Sequence, residues 1–502
     1  MAAVTIEQGG KVFCIQADAG ESLMAVLRRE VPAYAFPCGG NHTCGKCMVT
    51  AEGALSPMCE EEKKRLPEGG TLRLACAVTV LGDCRVSLRS EGRSRISKAF
   101  TAELIPGEAL YAGRYGAAVD IGTTTVVAYL FEAGGSQPLA VSGRMNAQRA
   151  YGSDVLSRIV ACDTHSVQPM QKLICDQLGA MLDELCLQAG IGPKELSGCC
   201  VTGNTTMLHI LTGLDPHGIS LAPFRPESLF GETRTLPIPG YSSVPCYLPP
   251  CISAYVGGDI SCSIVASGLL DSPQTSLLID AGTNGEIALL HEGGIFCCST
   301  AAGPAFEGAN ISCGMQAEQG AIDRVWAEDG ALRCRVIGGG RAAGLCGSGL
   351  IDAVSAAFGC GLLDKKGRPG RAQALQIADS GVQLTRKDIS ELLLAKAAIR
   401  AGIETLLEAC GIEETQVARV ILCGGFGSYL NVQSACGIGM LPASFAEKTC
   451  SIGNAAGAGA AMALQNRACL HRFETILSEA QTIELSASKA FTARYVAAMS
   501  LR

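Results

Sequence analysis

Two stretches of this 502-residue chain repeat one design: "AAVDIGTTTVVAYL", Ala117 to Leu130, and "LLIDAGTNGEIALL", Leu277 to Leu290. Each predicts an apolar strand ending in an aspartate, a Gly-Thr turn, and a second apolar strand. One such turn is weak information, because Asp-Gly turns join many strands. Two copies, with Asp120 and Asp280 at matching places, constrain the whole fold. They predict strand-turn-strand units on opposite sides of a nucleotide, where backbone N–H groups and hydroxyls meet phosphates and carboxylates hold hydrated Mg2+. Neither copy fits G-x-x-x-x-G-K-[ST], so the chain has no P-loop of that kind. A third segment, "RVILCGGFGSYL", runs an apolar strand into Gly424-Gly425-Phe426-Gly427-Ser428, a loop that allows close backbone approach to a base and ribose.

The order of these segments resembles the actin, sugar-kinase and heat-shock-chaperone ATPase superfamily, over most of residues 115 to 470. The resemblance implies two RNase H-like lobes with ATP in the cleft. By it, Asp120 and Asp280 help place Mg2+, Gly122, Thr123, Thr124 and Thr125 with Gly282, Thr283 and Asn284 hold phosphates, and Gly424, Gly425 and Gly427 line the adenosine pocket. "VTGNTTMLHIL" adds Asn204 and Thr205 after a strand. Hydrolysis needs a carboxylate or amide to orient water near the γ-phosphate. Asp259 in "YVGGDISCSIV", and Asp154 and Gln148 in "NAQRAYGSDVLSRI", are the candidates, with a helix cap or surface carboxylate as the plainer reading of each. His209 on an apolar helix reads as a core histidine, and Trp326 as a packing residue.

Ahead of these lobes, Cys38, Cys44 and Cys47 form C-x5-C-x2-C, and Cys76 follows in "RLACAV". Four thiolates converging in a Gly-rich loop suit a [2Fe-2S] cluster, whose sulfides accept backbone N–H bonds. Tetrahedral zinc is the main rival, although structural zinc sites usually bring two close pairs. His42 lies in the loop, but a Rieske centre needs two histidines, so it reads as a solvated side chain. The loop spacing, the hairpin predicted around Gly9-Gly10, the helix in "GESLMAVLRREV" and the distant Cys76 resemble the β-grasp fold of one branch of [2Fe-2S] ferredoxins. The expected fold class is therefore mixed: a β-grasp ferredoxin domain (α+β) followed by a two-lobed actin-like ATPase domain (α/β). The expected boundaries are 1–90 for the ferredoxin domain, 91–114 for a linker, 115–270 and 271–470 for the lobes, and 471–502 for a helical tail.

A net charge of −7 without a basic tract excludes phosphate neutralisation on nucleic acid as the source of affinity. No leader and no apolar run of about 18 residues stands out, which predicts a cytoplasmic protein with no membrane partner. The 26 cysteines mostly sit singly in apolar segments, as small hydrophobes of a reducing compartment, such as an anaerobe's cytosol.

A one-electron carrier fused to an ATPase allows nucleotide-driven closure to bias an electron transfer. Moving an equilibrium from 1:99 to 99:1 takes about 5.5 kcal/mol, which is roughly 240 mV for one electron at about 59 mV per tenfold change. The combination resembles the reductive activators of corrinoid-dependent enzymes, almost end to end. The resemblance is carried by "YGSDVLSRI", "GNTTM", "IDAGTNGEIAL", "GPAFEGANISCGM", "GLCGSGLID", "LAKAAIRAGI" and "IELSASKAFTARYVAAMSL". It implies return of cobalt(II) to cobalt(I) in a corrinoid protein of a methyltransferase system. It further implies electrons from a low-potential ferredoxin or flavodoxin through Cys38, Cys44, Cys47 and Cys76, ATP hydrolysis, and a homodimer formed through the ATPase domain. The loop Gly303 to Met315 is expected to face a partner or to connect the lobes. Longer members insert a small domain where this chain has only about 25 residues. Activation of a 2-hydroxyacyl-CoA dehydratase-type enzyme and redox sensing without turnover are the competing functions, and a sugar kinase is a weaker one.

Overall fold

The computed structural model describes all residues except 9–10, 32–33, 37, 41, 43–44, 67–69, 89–99, 101, 283, 309, 371 and 428. The hairpin turn at Gly9-Gly10, most of the first half of the expected linker, Cys44, Thr283 and Ser428 lie outside the described residues. No helix among the described residues is long and apolar enough to cross a membrane.

The N-terminal region is a five-stranded sheet of β1 (Ala2–Gln8), β2 (Lys11–Ala17), β3 (Met48–Leu55), β4 (Leu72–Leu74) and β5 (Val80–Leu88), ordered β2-β1-β5-β3-β4. Only β1 and β5 run parallel. Alternation in β1 buries Ala2, Val4 and Ile6 on one face. Helix Leu23–Glu30 covers that face through Leu23, Val26 and Leu27, and the Ser22 side chain caps it by accepting from the Ala25 amide.

Beside β4, the carboxylate of Glu62 is fully buried. It accepts from Arg73 Nε at 2.9 Å, Arg73 Nη2 at 3.0 Å and the Leu74 amide at 2.9 Å. Burial opposes the charge of Glu62, but these bonds outweigh it and hold the carboxyl below its usual range. Glu62→Ala leaves a buried guanidinium without its partner, which costs about 3–5 kcal/mol. The expected result is loss of the domain's cluster absorbance at a lower temperature than in the parent, with the remaining far-UV circular dichroism melting as before.

The rest of the chain builds two six-stranded sheets with one plan. The first joins β6 (Tyr115–Ile121), β7 (Thr125–Glu132), β8 (Ala140–Met145), β9 (Leu196–Gly203), β10 (Glu232–Thr235) and β11 (Pro245–Leu248) in the order β10-β11-β9-β6-β7-β8. The second places β12 (Ser276–Ala281), β13 (Gly285–His291) and β14 (Gly294–Thr300) beside Arg419–Cys423, Thr449–Ser451 and Ala480–Thr482. In each sheet a leading strand, β6 or β12, pairs antiparallel with the strand after its turn and parallel with one that returns much later. The internal duplication read from the two Asp-x-Gly-Thr segments is thus a duplication of topology.

Helices Gly258–Ser267 and Ala455–Gln465 lie between the sheets, and Ile260, Cys262, Ala460 and Ala461 share one core with Ala118, Leu278 and Ala288. The described part of the expected linker is packed. Phe100 meets the rings of Tyr129 and Phe131 edge-on, Leu104 and Tyr111 are buried, and the Gly107 and Leu110 amides donate to Gln465 and Leu464. His209 is fully buried, with Nδ1 2.7 Å from the Thr205 carbonyl. Trp326 departs from expectation. It is 45% exposed, because its strand, Ala321–Glu328, belongs to a small three-stranded sheet and turns this side chain to solvent opposite Arg333.

Candidate functional site

Between the two sheets lies a cleft of about 260 Å3. Chain duplication brings its two halves together. Asp120, near the end of β6, pairs with Val127 and Thr202, and Asp280, near the end of β12, pairs with Glu286 and Cys423. Both carboxylates reach the cleft with Gly122, Thr123, Thr124, Thr125, Asn204, Asp259, Gly282, Asn284, Gly424 and Gly425. Gly424 is required by close approach. Its φ is +83°, and a Cβ there would stand 2.2 Å from Asp280 Oδ1.

The cleft walls combine helix beginnings with acids. Asn204 caps helix Thr205–Thr212, Asn454 caps Ala455–Gln465, Asp259 opens Gly258–Ser267, and Gly347 and Ser348 open Gly347–Gly359. Free N–H groups and the positive ends of these helices favour anions. Against them stand Asp120, Asp259, Asp280 and Glu286. Burial and the charge of Asp280 push the Asp120 carboxyl up to about 7. Burial, then Asp280 and Asp120, push Asp259 up to about 8, and burial pushes Asp280 to about 6. Glu286 is raised by burial and by Asp259 and Asp280. Such a group of acids is relieved by a cation. Among the described residues no three or more side chains converge tightly enough to ligate one directly.

Several predicted residues sit elsewhere. Gln148 is fully buried, donating to the Met170 carbonyl at 3.2 Å and accepting from Arg158 Nη1 at 3.4 Å. Asp154 caps helix Val155–His165 by accepting from the Ser157 amide at 2.8 Å. Neither lines the cleft, so of the three water-orienting candidates only Asp259 does. Thr205 is buried with its hydroxyl on the Ser253 carbonyl, and Gly427 ends the short helical turn Gly424–Gly427 without lining the cleft. Thr283 lies outside the described residues. Asn454, Glu286, Glu307 and Ser348 line the cleft unpredicted. The Thr124 hydroxyl donates to Glu307, a residue of the Gly303–Met315 loop, and Asn204 Nδ2 donates to Thr123 Oγ1 at 3.0 Å.

In the N-terminal domain, Cys47 and Cys76 are buried with their sulfurs 3.3 Å apart. The hydrogen bond it shares with Cys76 draws the Cys47 thiol below its ordinary value, against burial and the nearby Cys38. Cys38 is half-buried, and Cys44 lies outside the described residues. Gly39, Gly40 and Gly45 have φ of +64°, +100° and +65°, and a Cβ on Gly40 would meet Met24 Sδ at 2.7 Å. Three thiols gathered by a left-handed glycine loop fit a thiolate-bound iron–sulfur cluster. His42 is not merely solvated: its Nε2 is 3.1 Å from the Cys76 carbonyl, which ties the loop to the distant cysteine.

Residues 6–81 match the 2Fe-2S iron-sulfur cluster binding domain, residues 115–272 the RACo middle region, and residues 274–502 the C-terminal domain of RACo, the ASKHA domain. From residue 115 onward the chain thus matches the two RACo models in tandem. A solved structure described as reductive activator for corrinoid, iron-sulfur protein superposes with a TM-score of 0.70 at 27% identity, over 99% of this chain and 98% of that one. The corrinoid activation enzyme RamQ of Eubacterium limosum is 34% identical over 70% of this chain, and a methylated amine-specific corrinoid protein reductase of Methanosarcina barkeri is 27% identical over 68%. The alignments span 64% and 68% of those two relatives. The ferredoxin match and the ASKHA match support a 2Fe-2S cluster and a nucleotide in one polypeptide.

Proposed function

We propose that this protein is an ATP-dependent reductive activator of a corrinoid protein in a methyltransferase system, returning inactive cobalt(II) to cobalt(I) with one electron per event. The observation that carries this reading is the seating of a ferredoxin cysteine loop against a two-lobed cleft in one chain, with Lys46, next to Cys47, donating to the Gly308 carbonyl beside that cleft. The names of the relatives, which act on corrinoid proteins, support the choice of partner.

Cys38, Cys44, Cys47 and Cys76 would hold the cluster. When bound, a [2Fe-2S] cluster supplies a one-electron carrier whose potential follows its hydrogen bonds and exposure. The chain surrounds this position with the His42–Cys76 contact and shields Cys47 and Cys76 from water. In the cleft, Thr123, Thr124 and Asn284 offer polar groups to phosphates, and Asp120 and Asp280 line the same cleft, where they would hold a hydrated Mg2+. Asp259, raised toward neutrality, orients and deprotonates the attacking water. Gly424 and Gly425 leave room for the nucleoside. The electron donor is a low-potential ferredoxin or flavodoxin of the cytoplasm, and the ATPase domains pair as a homodimer.

Anaerobic visible absorption of a corrinoid protein tests the reading. Mixed with this protein, a low-potential reductant and Mg-ATP, cobalt(II) is expected to convert to cobalt(I), and without ATP it is expected to stay. Persistence of cobalt(II) with several corrinoid proteins, despite an intact cluster and measurable ATP binding, would transfer the assignment to a dehydratase-type activator or a redox sensor.

A further inference from the structure

Among the described residues, two sets of contacts seat the cluster domain on the lobes, and each is tied to a threonine of the loop at the cleft. On one side Lys46 Nζ donates to the Gly308 carbonyl at 3.1 Å, and the adjacent Glu307 accepts from the Thr124 hydroxyl. On the other, the Phe36 amide donates to the Arg149 carbonyl at 3.2 Å, and Arg28 Nε donates to the Ala150 carbonyl at 2.7 Å. The Arg28 guanidinium stands 4.8 Å from the centre of the Tyr151 ring while its Nη2 holds the Gly39 carbonyl of the cysteine loop. That support is braced from below by Arg158, which donates to the Gly152 carbonyl, to Gln148 Oε1 and to the Thr123 carbonyl.

A phosphate that binds this loop needs the Thr124 hydroxyl as a donor. One hydroxyl hydrogen cannot serve both a carboxylate and a phosphate, and the two anions repel. Phosphate therefore expels Glu307, and the Gly308 carbonyl, one residue on, moves with it. Phe306 on the other side of Glu307 is buried, as is Gly308, so this packed segment shifts as a unit and draws the Gly308 carbonyl away from Lys46.

We propose that Glu307 is a latch: without nucleotide it ties the phosphate loop to the seat of the ferredoxin domain, and a bound nucleotide phosphate breaks that tie and frees the domain to leave its seat. The inference rests on the reading of the cleft as a nucleotide site. It gives the ferredoxin domain two positions, one against its own ATPase lobes and one available to a partner, with the nucleotide setting the balance.

Hydrogen–deuterium exchange on the full, cluster-loaded chain reads the seat directly, because the Phe36 amide bonds across it. Binding of Mg-AMP-PNP, followed in parallel by calorimetry, is expected to speed exchange at Phe36 roughly tenfold, an ordinary coupling between sites. Glu307→Ala is expected to exchange fast there without nucleotide, with little further change when it is added. Glu307→Gln keeps an oxygen for Thr124 and loses the charge, so it is expected to retain protection at Phe36 while binding the analogue roughly tenfold more tightly. The Gly107 amide, bonded to Gln465 far from the seat, should stay protected in all variants. Tight analogue binding with unchanged Phe36 exchange would overturn the latch and leave the nucleotide site standing. Absence of analogue binding would remove both.

Discussion

Cys47→Ala is expected to lower ATP-dependent cobalt(II) reduction by more than about a hundredfold, since even an outer partner of a metal ligand can cost that much. Cys47 is 2% exposed and its sulfur lies 3.3 Å from that of Cys76, so no other described thiol can move into its place without unpacking the domain. Cys84 is also buried in this domain, but its thiol is pushed up by burial and by Asp83, which makes it a poor substitute thiolate. The purified variant is expected to lack the visible bands and the acid-labile sulfide of the parent, while nucleotide binding in the cleft is retained. Cys59→Ala is the comparison: Cys59 stands at the start of a four-residue helix and outside the C-x5-C-x2-C pattern, and its removal should leave absorbance and activity near parental values. Retention of full reduction by Cys47→Ala would mean that the electron does not pass through this loop.

The fold was legible because its strongest determinants are local and repeated. Alternation in β1, the cap and apolar stripe of Leu23–Glu30, and two apolar strands around each Asp-x-Gly-Thr segment all point to the elements that form. At Asp154 and Gln148 the same local rules leave two roles open. Both stand in a polar segment before a helix, where a carboxylate or amide serves the backbone at least as well as a substrate, and the backbone wins at both positions. Glu286 carried a readable signal, a lone acid opening the otherwise apolar strand β13. Asn454 had only the look of an ordinary cap before an Ala- and Gly-rich helix. Glu307 had none: its place opposite Thr124 is made by the meeting of two lobes whose contributing residues are 183 positions apart. The docking of Phe100 and of residues 102–114 was hidden for a similar reason. A segment without periodicity reads as a linker, yet Phe100, Leu104 and Tyr111 find separate apolar sites on a body formed by later residues.

Asp259→Asn is expected to reduce ATP hydrolysis by about 10²–10⁴, the usual contribution of a positioned general base, while leaving nucleotide affinity within a few-fold. The reason lies in where its charge comes from. Asp259 is buried beside Asp280 and Asp120, and burial and their charges raise it to about 8, so it holds a proton readily near neutrality and can accept one from water only as pH rises. The rate in the parent should therefore climb with pH up to about 8 when Mg2+ is scarce. If Asp120 and Asp280 hold Mg2+ as proposed, the ion would offset the repulsion that raises Asp259, and the climb should move to lower pH as Mg2+ increases. Steady-state phosphate release across pH 6–9 at two Mg2+ concentrations measures both effects. In Asp259→Asn the residual rate should lose this limb altogether, because the asparagine amide has no proton to give up. Cobalt(II) reduction should fall in step with hydrolysis if turnover of ATP is what drives the electron. Reduction that persists in Asp259→Asn while hydrolysis collapses would instead assign the driving step to nucleotide binding.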